Sequence, residues 1–573
     1  MVIMKRIVPA VGVVLVLSLS LAGCSASDAV VPNSHVTVGE VGVISTLNQD
    51  VLGSTSNGIA SDLAKLTRQS FYEVDAAGDL VANKDFGTVT VTKQSPFTVT
   101  YTLGKSAQWS DGSQVDATDM ALAVAAAQNK TFKSVGAGTS LATAKIVGTP
   151  KPGSSSITLE FASPVFDWKT ALQISEPAHI VGKAAGLTGD VASVRAAIVD
   201  AISNQNSEVI GKLGAAYSSA FTATSDAGNF LSDGAYAVSS VAADSIALKA
   251  QRDFAGSHKA IAEKVSLQIF ADNATALTAV TKATVDILSP KATLNEPQSD
   301  LVNQAKTLPS KLVTVDAPAG DSSEQFALNL GSGLFSEARY KDIKTAQTVR
   351  QAFLELVPKA RAYDFASMTQ AVSKSDSFIF ANGSKNYSAV IGSNGSASYI
   401  FQDVEKSKQL ISTIKFAKTP TVRVLFDAND PAAVAEWTLL SDHSANSGFN
   451  LTNLSGSNIA ATLRSGAYDV YLGASPLLGA GAGSLQALTG GGYRMPQQTF
   501  ATLTAGIATA TGSKLDQLLQ ALDKALFDQA IGLPMYQIPE LVIHNKRILN
   551  MQVDPYGNNS TWGYWTWHVT ADK

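Results

Sequence analysis

The sequence contains one thiol and few other groups that are spaced for chemistry. Cys24 is the only cysteine in 573 residues, so it is the one side chain available for thiol modification. Ser412 and Lys415 stand at the SxxK spacing of a nucleophile and its base, but neither SDN nor KTG accompanies them. None of the histidines stands at a paired spacing such as HExxH: His35, His179, His258, His443, His544 and His568. The pattern therefore predicts no catalytic residue, no metal site and no cofactor.

The segment around Cys24 has the features of an export signal. The basic pair KR at residues 5–6 precedes an apolar run over residues 7–21, and LAGC at residues 21–24 closes it. This segment resembles a bacterial lipoprotein signal peptide. The resemblance implies removal of residues 1–23, acylation of Cys24 and attachment to the outer face of the cytoplasmic membrane. The alternative is an uncleaved membrane anchor, but the apolar run is shorter than the roughly 20 residues that span a bilayer.

Composition excludes several classes of protein. Apolar residues make up 45% of the chain and charged residues 16%, which is typical of a globular protein with a conventional core. The formal net charge is −4 and no long charged block is present, so the sequence predicts no binding of nucleic acid. Since the one cysteine is assigned to lipid, no internal disulfide can form.

Strand and helix patterns alternate along the chain. The segment HVTVGEVGVI, starting at His35, alternates apolar and polar residues as a strand does, and a helical pattern follows over residues 59–72. GTVTVTKQSPFTVTYTL predicts two strands, and Asp116 or Thr118 can cap a helix through MALAVAAAQN. Residues 193–220 are helical and rich in alanine. The alternation favours an α/β fold made of lobes over a helical bundle or a sandwich.

Seven segments, taken in their order along the chain, resemble the landmarks of one family. They are FYEVDAAGDLVAN, PFTVTYTLGKSAQWSDGSQVDATDMALA, SDGAYAVSSVAADSIALKAQRDFAG, DNATALTAVTKATVDIL, FALNL with VRQAF, LRSGAYDVYLGA, and LPMYQIPELVIHNKR. On these segments the chain is similar to the family-5 extracellular solute-binding proteins of peptide- and nickel-type ABC importers. The resemblance implies an α/β, two-lobed, periplasmic-binding-protein-like fold with an extra inserted subdomain, of the large peptide-binding type.

The same resemblance implies a division of the chain into segments. These are a signal peptide at 1–23, a tether at 24–35, a first lobe built from 36–75, 230–318 and 527–573, an inserted subdomain at 76–229, and a second lobe at 319–526. The implied function is capture of a peptide or similar solute outside the membrane and its delivery to ABC permease subunits. No bond is made or broken, and a monomer held to the membrane by its lipid anchor is expected.

Family position also implies candidate ligand-binding residues. They are Trp109 in the inserted subdomain, Asn329 at the entry to the second lobe, and the run Tyr471, Leu472, Gly473, Ala474 and Ser475. Trp109 has an equally simple interpretation as a core residue. The aromatic run WGYWTW at residues 562–567 favours core packing, with Trp565 and Trp567 on one face if the run is a strand.

One departure from the family pattern bears on the ligand. Many peptide-binding members carry an acidic residue after the strand that ends here at Leu472, whereas no carboxylate occurs from Gly473 to Tyr493. We therefore expect the solute to be held by backbone-type hydrogen bonds and apolar walls rather than by a carboxylate near Gly473.

Three alternatives stay open at this point. The solute could be a nickel complex, for which histidines from distant segments would have to converge. The chain could be an extracytoplasmic lipoprotein enzyme such as a peptidase, although no convincing nucleophile and base are present. It could also be an adhesive surface protein that has kept the fold and lost the ligand.

Overall fold

The structure is a computed structural model, and it describes most of the chain. The described residues are 30–51, 58–292, 296, 298–318, 320–369, 372–456, 459–477, 503, 506, 507, 509, 510, 512–557 and 559–569. Cys24 and residues 478–502 lie outside these ranges, so the lipidation prediction and most of the carboxylate-free stretch concern residues that the structure does not describe.

Strands and helices alternate, as the sequence predicts. The strands of the described residues are β1 (Val31–Val41), β2 (Tyr72–Val74), β3 (Leu80–Ala82), β4 (Gly87–Gln94), β5 (Phe97–Leu103), β6 (Lys145–Ile146), β7 (Ser156–Phe161), β8 (Tyr236–Val241), β9 (Ser245–Ala250), β10 (Ala262–Phe270), β11 (Ile287–Leu288), β12 (Val313–Asp316), β13 (Ser322–Leu328), β14 (Ser373–Lys374), β15 (Thr421–Leu425), β16 (Asn450–Asn453), β17 (Val470–Pro476), β18 (Gly532–Gln537) and β19 (Val542–Asn545). The helices are α1 (Ile59–Thr67), α2 (Ala117–Gln128), α3 (Ala178–Ala184), α4 (Val191–Ser203), α5 (Ser207–Ser219), α6 (Asn273–Thr281), α7 (Gln298–Lys306), α8 (Ile343–Leu354), α9 (Lys359–Thr369), α10 (Tyr387–Ile391), α11 (Val404–Ser412), α12 (Pro431–Asp442), α13 (Ile459–Ser465) and α14 (Gly512–Asp528).

The first large sheet is assembled from distant parts of the chain. Its seven strands lie in the order β12-β19-β11-β1-β10-β9-β8. The central strand β1 is parallel to β10 and β11, and the other pairs are antiparallel. Val36 and Val38 of β1 are fully buried, as expected for a strand covered on both sides. This sheet contains β1 and the strands between residues 230 and 318, which the sequence assigns to one lobe.

The second large sheet has six strands in the order β14-β18-β13-β17-β15-β16. Strand β13 is antiparallel to β17 and β18, while β15 is parallel to β16 and β17. Strand β18 belongs to this sheet, although residues 527–573 are predicted to form part of the first lobe. The prediction places the chain's return too early, because the return to the first sheet occurs only after Gln537.

A smaller sheet forms the centre of the segment between β1 and β8, two strands of the first large sheet. Its four antiparallel strands lie in the order β4-β5-β7-β6, and helix α2 packs beside them. Eleven of the twelve residues of α2 are buried, so this helix is covered on all sides. Asp116 and Asp119 form a capping box at its first turn, which confirms their predicted structural role. Phe166 extends from this segment into the core of the second large sheet.

Within the described residues, no helix combines the length and the apolar character needed to cross a membrane.

Candidate functional site

Two adjacent chain crossings join the large sheets and fix which strand ends face each other. The chain passes from β12 to β13 and returns from β18 to β19. The two crossings lie side by side, since the amide N of Glu540 donates a hydrogen bond to the carbonyl O of Pro318 at 2.9 Å. Strand β19 begins at a crossing, and β11 is antiparallel to it, so β11 ends near that crossing. Strand β1 is parallel to β11 and therefore ends near the same crossing.

The same argument applies to the second sheet. Strand β13 begins at a crossing, so its antiparallel neighbour β17 ends there, and so does β15, which is parallel to β17. The carboxyl ends of parallel strands from both sheets therefore face one another across a cleft. Ligands of open α/β sheets bind at this edge, so the cleft is the candidate site.

The predicted run on β17 approaches the cleft edge. Leu472 is buried in the core of the second sheet, while Tyr471 is half-buried and Ala474 is exposed. Ser475, at the end of the run, pairs with Ser323 of β13. Burial raises the pKa of Tyr471 to about 12, and the charges of nearby carboxylates add to this effect.

Gly473 leaves space for the ring of Tyr471. The two residues lie on the same face of β17, and a Cβ atom on residue 473 would overlap the hydroxyl and ring of Tyr471. The glycine therefore lets the tyrosine fold along the strand, where its hydroxyl lies next to the cleft edge.

Asn329 lies at the other end of the second sheet. It follows β13, and Ser323 and Asn329 are separated by six residues, or about 20 Å of extended strand. The side chain of Asn329 is also fully used: its Nδ2 donates to carbonyl oxygens of Gly466 (3.1 Å) and Tyr468 (2.9 Å), and its Oδ1 accepts from the amides of Gly331 and Ser332. The structure separates Asn329 from Ser475 but leaves it near Tyr471, since Ala327 pairs with Tyr471 and the amide of Asn329 donates to the carbonyl O of Asp469 at 2.8 Å.

Trp109 lies in the core of the inserted segment. Its side chain is 1% exposed, its Nε1 lies 3.5 Å from Asp119 Oδ2, and the guanidinium of Arg68 lies over its ring. Trp109 is thus a core residue in the structure, which agrees with the second of its two interpretations.

Carboxylates that the sequence did not single out lie beside the β17 run. Glu324 of β13 pairs in register with Ala474, and Glu436 of α12 accepts a hydrogen bond from the hydroxyl of Tyr536 at 2.5 Å. Both glutamates are almost fully buried. Burial, and then the charge of Glu436, raises the pKa of Glu324 well above its ordinary value, and burial raises the pKa of Glu436 to about 8. A neighbouring strand therefore supplies a carboxylate beside the β17 run, although residues 473–493 contain none, and the way in which the solute is held stays a prediction.

The first sheet also presents a carboxylate near its cleft edge. Glu40, close to the end of β1, is buried, and its Oε1 has no hydrogen-bond partner in the described part of the chain. Burial and the charge of Asp62 raise the pKa of Glu40 well above its ordinary value, while the charge of Lys291 lowers it. Acidic groups thus lie near both edges of the cleft.

Apolar side chains line the rims. Val43, just after β1, is 74% exposed; Met368, near the end of α9, is 81% exposed; Val434, in the first turn of α12, is 39% exposed. Groups of three or more His, Cys, Asp or Glu side chains placed to hold a metal ion do not occur among the described residues.

The fold defines a class of protein in which two lobes are joined by a pair of chain crossings and enclose a cleft. Comparison with known sequences then identifies the family. Residues 91–480, more than half of the chain, match the family described as bacterial extracellular solute-binding proteins, family 5. The chain belongs to this family, whose members are solute-binding proteins of ABC transporters rather than enzymes.

Curated relatives support an extracytoplasmic protein. The chain is 35% identical over 120 residues to an uncharacterized lipoprotein of Mycobacterium leprae (strain TN), a match that covers 20% of each chain. It is 34% identical over 113 residues to an uncharacterized lipoprotein of Mycobacterium tuberculosis (strain H37Rv), covering 20% of this chain and 19% of the relative. The chain thus matches about a fifth of the length of these relatives.

Solved structures confirm the two-lobed, periplasmic-binding-protein-like fold. The periplasmic EDTA-binding protein EppA superposes with a TM-score of 0.67 at 20% identity, covering 94% of this chain and 97% of EppA. The oligopeptide-binding protein AppA of Bacillus subtilis, in complex with a nonapeptide, gives 0.55 at 10% identity and covers 94% and 99%. NikA of Staphylococcus aureus, in complex with a nickel–histidine complex, gives 0.52 at 12% identity and covers 93% and 99%. These three proteins bind different ligands on one fold.

Proposed function

We propose that the chain is the substrate receptor of an ABC importer and that it binds a peptide or a similarly sized amide-containing solute between its two lobes. The observation that carries the proposal is the pair of adjacent crossings at Pro318 and Glu540, with strand ends from both sheets facing across them. Two neighbouring connections form a hinge, and closure about a hinge can enclose a solute and exclude water.

The surfaces of the cleft support a solute with both apolar and polar parts. Exposed apolar side chains stand at both rims, and the strand ends carry the buried polar residues Ser323 and Ser475 next to the half-buried Tyr471. Binding sites for small organic molecules combine apolar walls with a few polar groups that fix orientation. Acylation of Cys24 then holds the receptor at the outer membrane face, close to the permease, and the tether predicted at 24–35 is shortened by β1, which begins at Val31.

Two measurements test the proposal: identification of the bound solute and detection of cleft closure. Native mass spectrometry of the purified chain should reveal a copurifying solute. Small-angle scattering of a mature Cys24→Ser chain, which keeps all the described residues, should then show a smaller radius of gyration with saturating solute than without it. An unchanged radius would contradict a closing receptor, and cleavage of added peptides would favour the enzyme alternative.

A further inference from the structure

Four carboxylates from three elements lie near Tyr471 and Tyr536 in the second lobe, and their charges add to the burial that raises the pKa of these two phenols. Glu324 lies on β13, Asp427 follows β15, and Asp430 and Glu436 lie at and within α12. Glu324 stands opposite Tyr536 in the β13–β18 pairing, and the Tyr536 hydroxyl donates to Glu436, so these side chains share one face of the sheet. Asp427 and Asp430 are half-buried at the rim, whereas the two glutamates lie deeper.

This cluster lacks the cations that other carboxylates of the same lobe have. Asp469 pairs with Arg423 at 2.7 Å, Glu355 pairs with Lys406 at 2.6 Å, and Asp376 pairs with Lys359 at 2.7 Å. In the part of the chain that the structure describes, no lysine, arginine or histidine forms an ion pair with any of the four clustered carboxylates. Asp523 of the same lobe also has no ion pair among the described residues, but its two oxygens accept hydrogen bonds from Ser377, the amide of Phe378 and Asn394.

Two oxygen atoms within the cluster also have no hydrogen-bond partner. Glu324 is 4% exposed and Glu436 is 1% exposed, yet Glu324 Oε1 and Glu436 Oε2 accept no hydrogen bond from any described residue. Burying a polar group without a hydrogen-bond partner is unfavourable, because the group loses its hydration and gains nothing in return. A ligand that donates hydrogen bonds and carries positive charge would satisfy these atoms.

The second lobe thus offers acceptors and negative charge without the geometry of a metal site. We propose that the solute carries an ammonium or guanidinium group in addition to any peptide α-ammonium, and that Glu324 and Asp430, supported by Asp427 and Glu436, form the subsite for that group beside Tyr471. The inference rests on the proposed function, because it names the class of solute that the same cleft accepts.

Binding of such a group has a thermodynamic consequence. Burial keeps the glutamates protonated in the empty site, and a nearby positive charge favours the carboxylate. A cationic solute should therefore displace a proton to solvent when it binds near neutral pH. A neutral solute of the same shape should not.

The test compares tripeptides that differ in side-chain charge while each keeps a free α-ammonium, together with spermidine as a cation without a peptide backbone. The full chain in detergent is titrated calorimetrically, in two buffers of different ionisation enthalpy, with trilysine, with the tripeptide of Nε-acetyl-lysine, with triglutamate and with spermidine. We expect trilysine to bind at least about tenfold more tightly than the acetylated tripeptide, and to release protons.

Matched variants show which carboxylates are responsible for the tighter binding of trilysine and for the proton release. Glu324→Gln keeps the shape of the side chain, and Asp430→Asn keeps a residue that caps α12. Each should lower trilysine affinity by about tenfold, and Glu324→Gln should reduce proton release. Glu405→Gln, on the exposed side of α11, removes the same charge away from the cleft and should leave both unchanged.

The outcomes separate the inference from the proposed function. Equal or tighter binding of the acetylated tripeptide or triglutamate would overturn the charge inference and leave the receptor function intact. Binding of spermidine without any tripeptide would support the charge inference and overturn the peptide assignment. Binding of none of the four probes would count against both. Loss of affinity in Glu405→Gln equal to that in Glu324→Gln would overturn the assignment of the subsite.

Discussion

The ring of Tyr471 lies along strand β17 over Gly473 and occupies the space that a side chain at residue 473 would need. Gly473→Ala should therefore push the phenol out of its position at the cleft edge. Because a tyrosine ring can swing aside, we expect a loss of stability below about 2 kcal/mol but a clear change in solute binding. Near-UV circular dichroism and the amount of copurified solute measure the two effects.

Gly211→Ala is the matched control for that substitution. Gly211 lies inside α5, and a Cβ atom there would meet no atom within 4 Å. Alanine at this helical position should raise stability by about 0.5–1 kcal/mol and leave the solute unaffected. Unchanged solute retention in Gly473→Ala would contradict a role for the Tyr471 ring in the site.

Glu436 predicts a pH dependence of stability. Its pKa rises from an ordinary value of 4.5 to about 8 in the folded chain, chiefly through burial. Folding therefore favours the protonated form of Glu436. The resulting contribution to the free energy of unfolding is fully present below pH 4.5 and is lost as the pH rises through about 8. The titratable groups that face the Glu436 carboxyl are Glu324, Asp430 and Tyr536, and none of them carries a positive charge.

Glu436→Gln removes this titration. Thermal unfolding from pH 5 to pH 8 should show the variant gaining stability relative to the natural chain as pH rises. The exposed carboxylate variant Glu405→Gln should follow the natural chain throughout. A constant difference between Glu436→Gln and the natural chain over this range would contradict the assignment.

Asp286 and Arg547 join two distant parts of the first lobe. Arg547 Nε donates to Asp286 Oδ1 at 2.5 Å and its Nη2 donates to Oδ2 at 2.5 Å, while the amide of Thr37 donates to Oδ2 at 2.9 Å. Asp286→Asn leaves a partly buried guanidinium without its charge partner, so we expect the free energy of unfolding to fall by about 2–3 kcal/mol. Urea denaturation measures the change. Asp253→Asn, on an exposed loop, should have an effect near zero.

Cys24 predicts the location of the protein in the cell. Cys24→Ser removes the thiol that is to be acylated, so the protein should move from the membrane fraction to the soluble extracytoplasmic fraction. Mass spectrometry of the natural chain should find residues 1–23 absent and an acylated residue 24. Retention of the processed Cys24→Ser chain in membranes would show that another segment anchors it.

Much of the local structure follows from short stretches of sequence. Asp111 and Gly112 form the predicted turn, with the amide and hydroxyl of Ser113 donating to Asp111 Oδ1 and with Gly112 at a φ of 86°. Helix α1 begins at the predicted residue, Ile59, although it ends at Thr67 rather than at residue 72. These features depend on residues only a few positions apart in the sequence. The order of such segments along the chain also indicates the family.

The C-terminal aromatic run shows where local patterns mislead. Residues 564–566 form a 3-10 turn rather than a strand. Trp567 is fully buried, as core packing predicts, but Trp565 is half-buried and stacks on His258 at 3.8 Å between ring centroids. The partners of these rings come from elsewhere in the chain, so alternation alone could not assign their faces.

The sequence by itself determined the family and the alternation of strands and helices, and it predicts an export signal, because each depends on residue types at short, fixed spacings. Only the tertiary structure decided the composition of the cleft. Strand pairing placed Glu324 beside Ala474, and a helix over the sheet brought Glu436 to Tyr536 across 100 positions of sequence. Strand direction likewise sent Asn329 to the far end of the sheet. Register and strand order are set by packing between segments distant in sequence, so no pattern within one segment could predict which carboxylates reach the site.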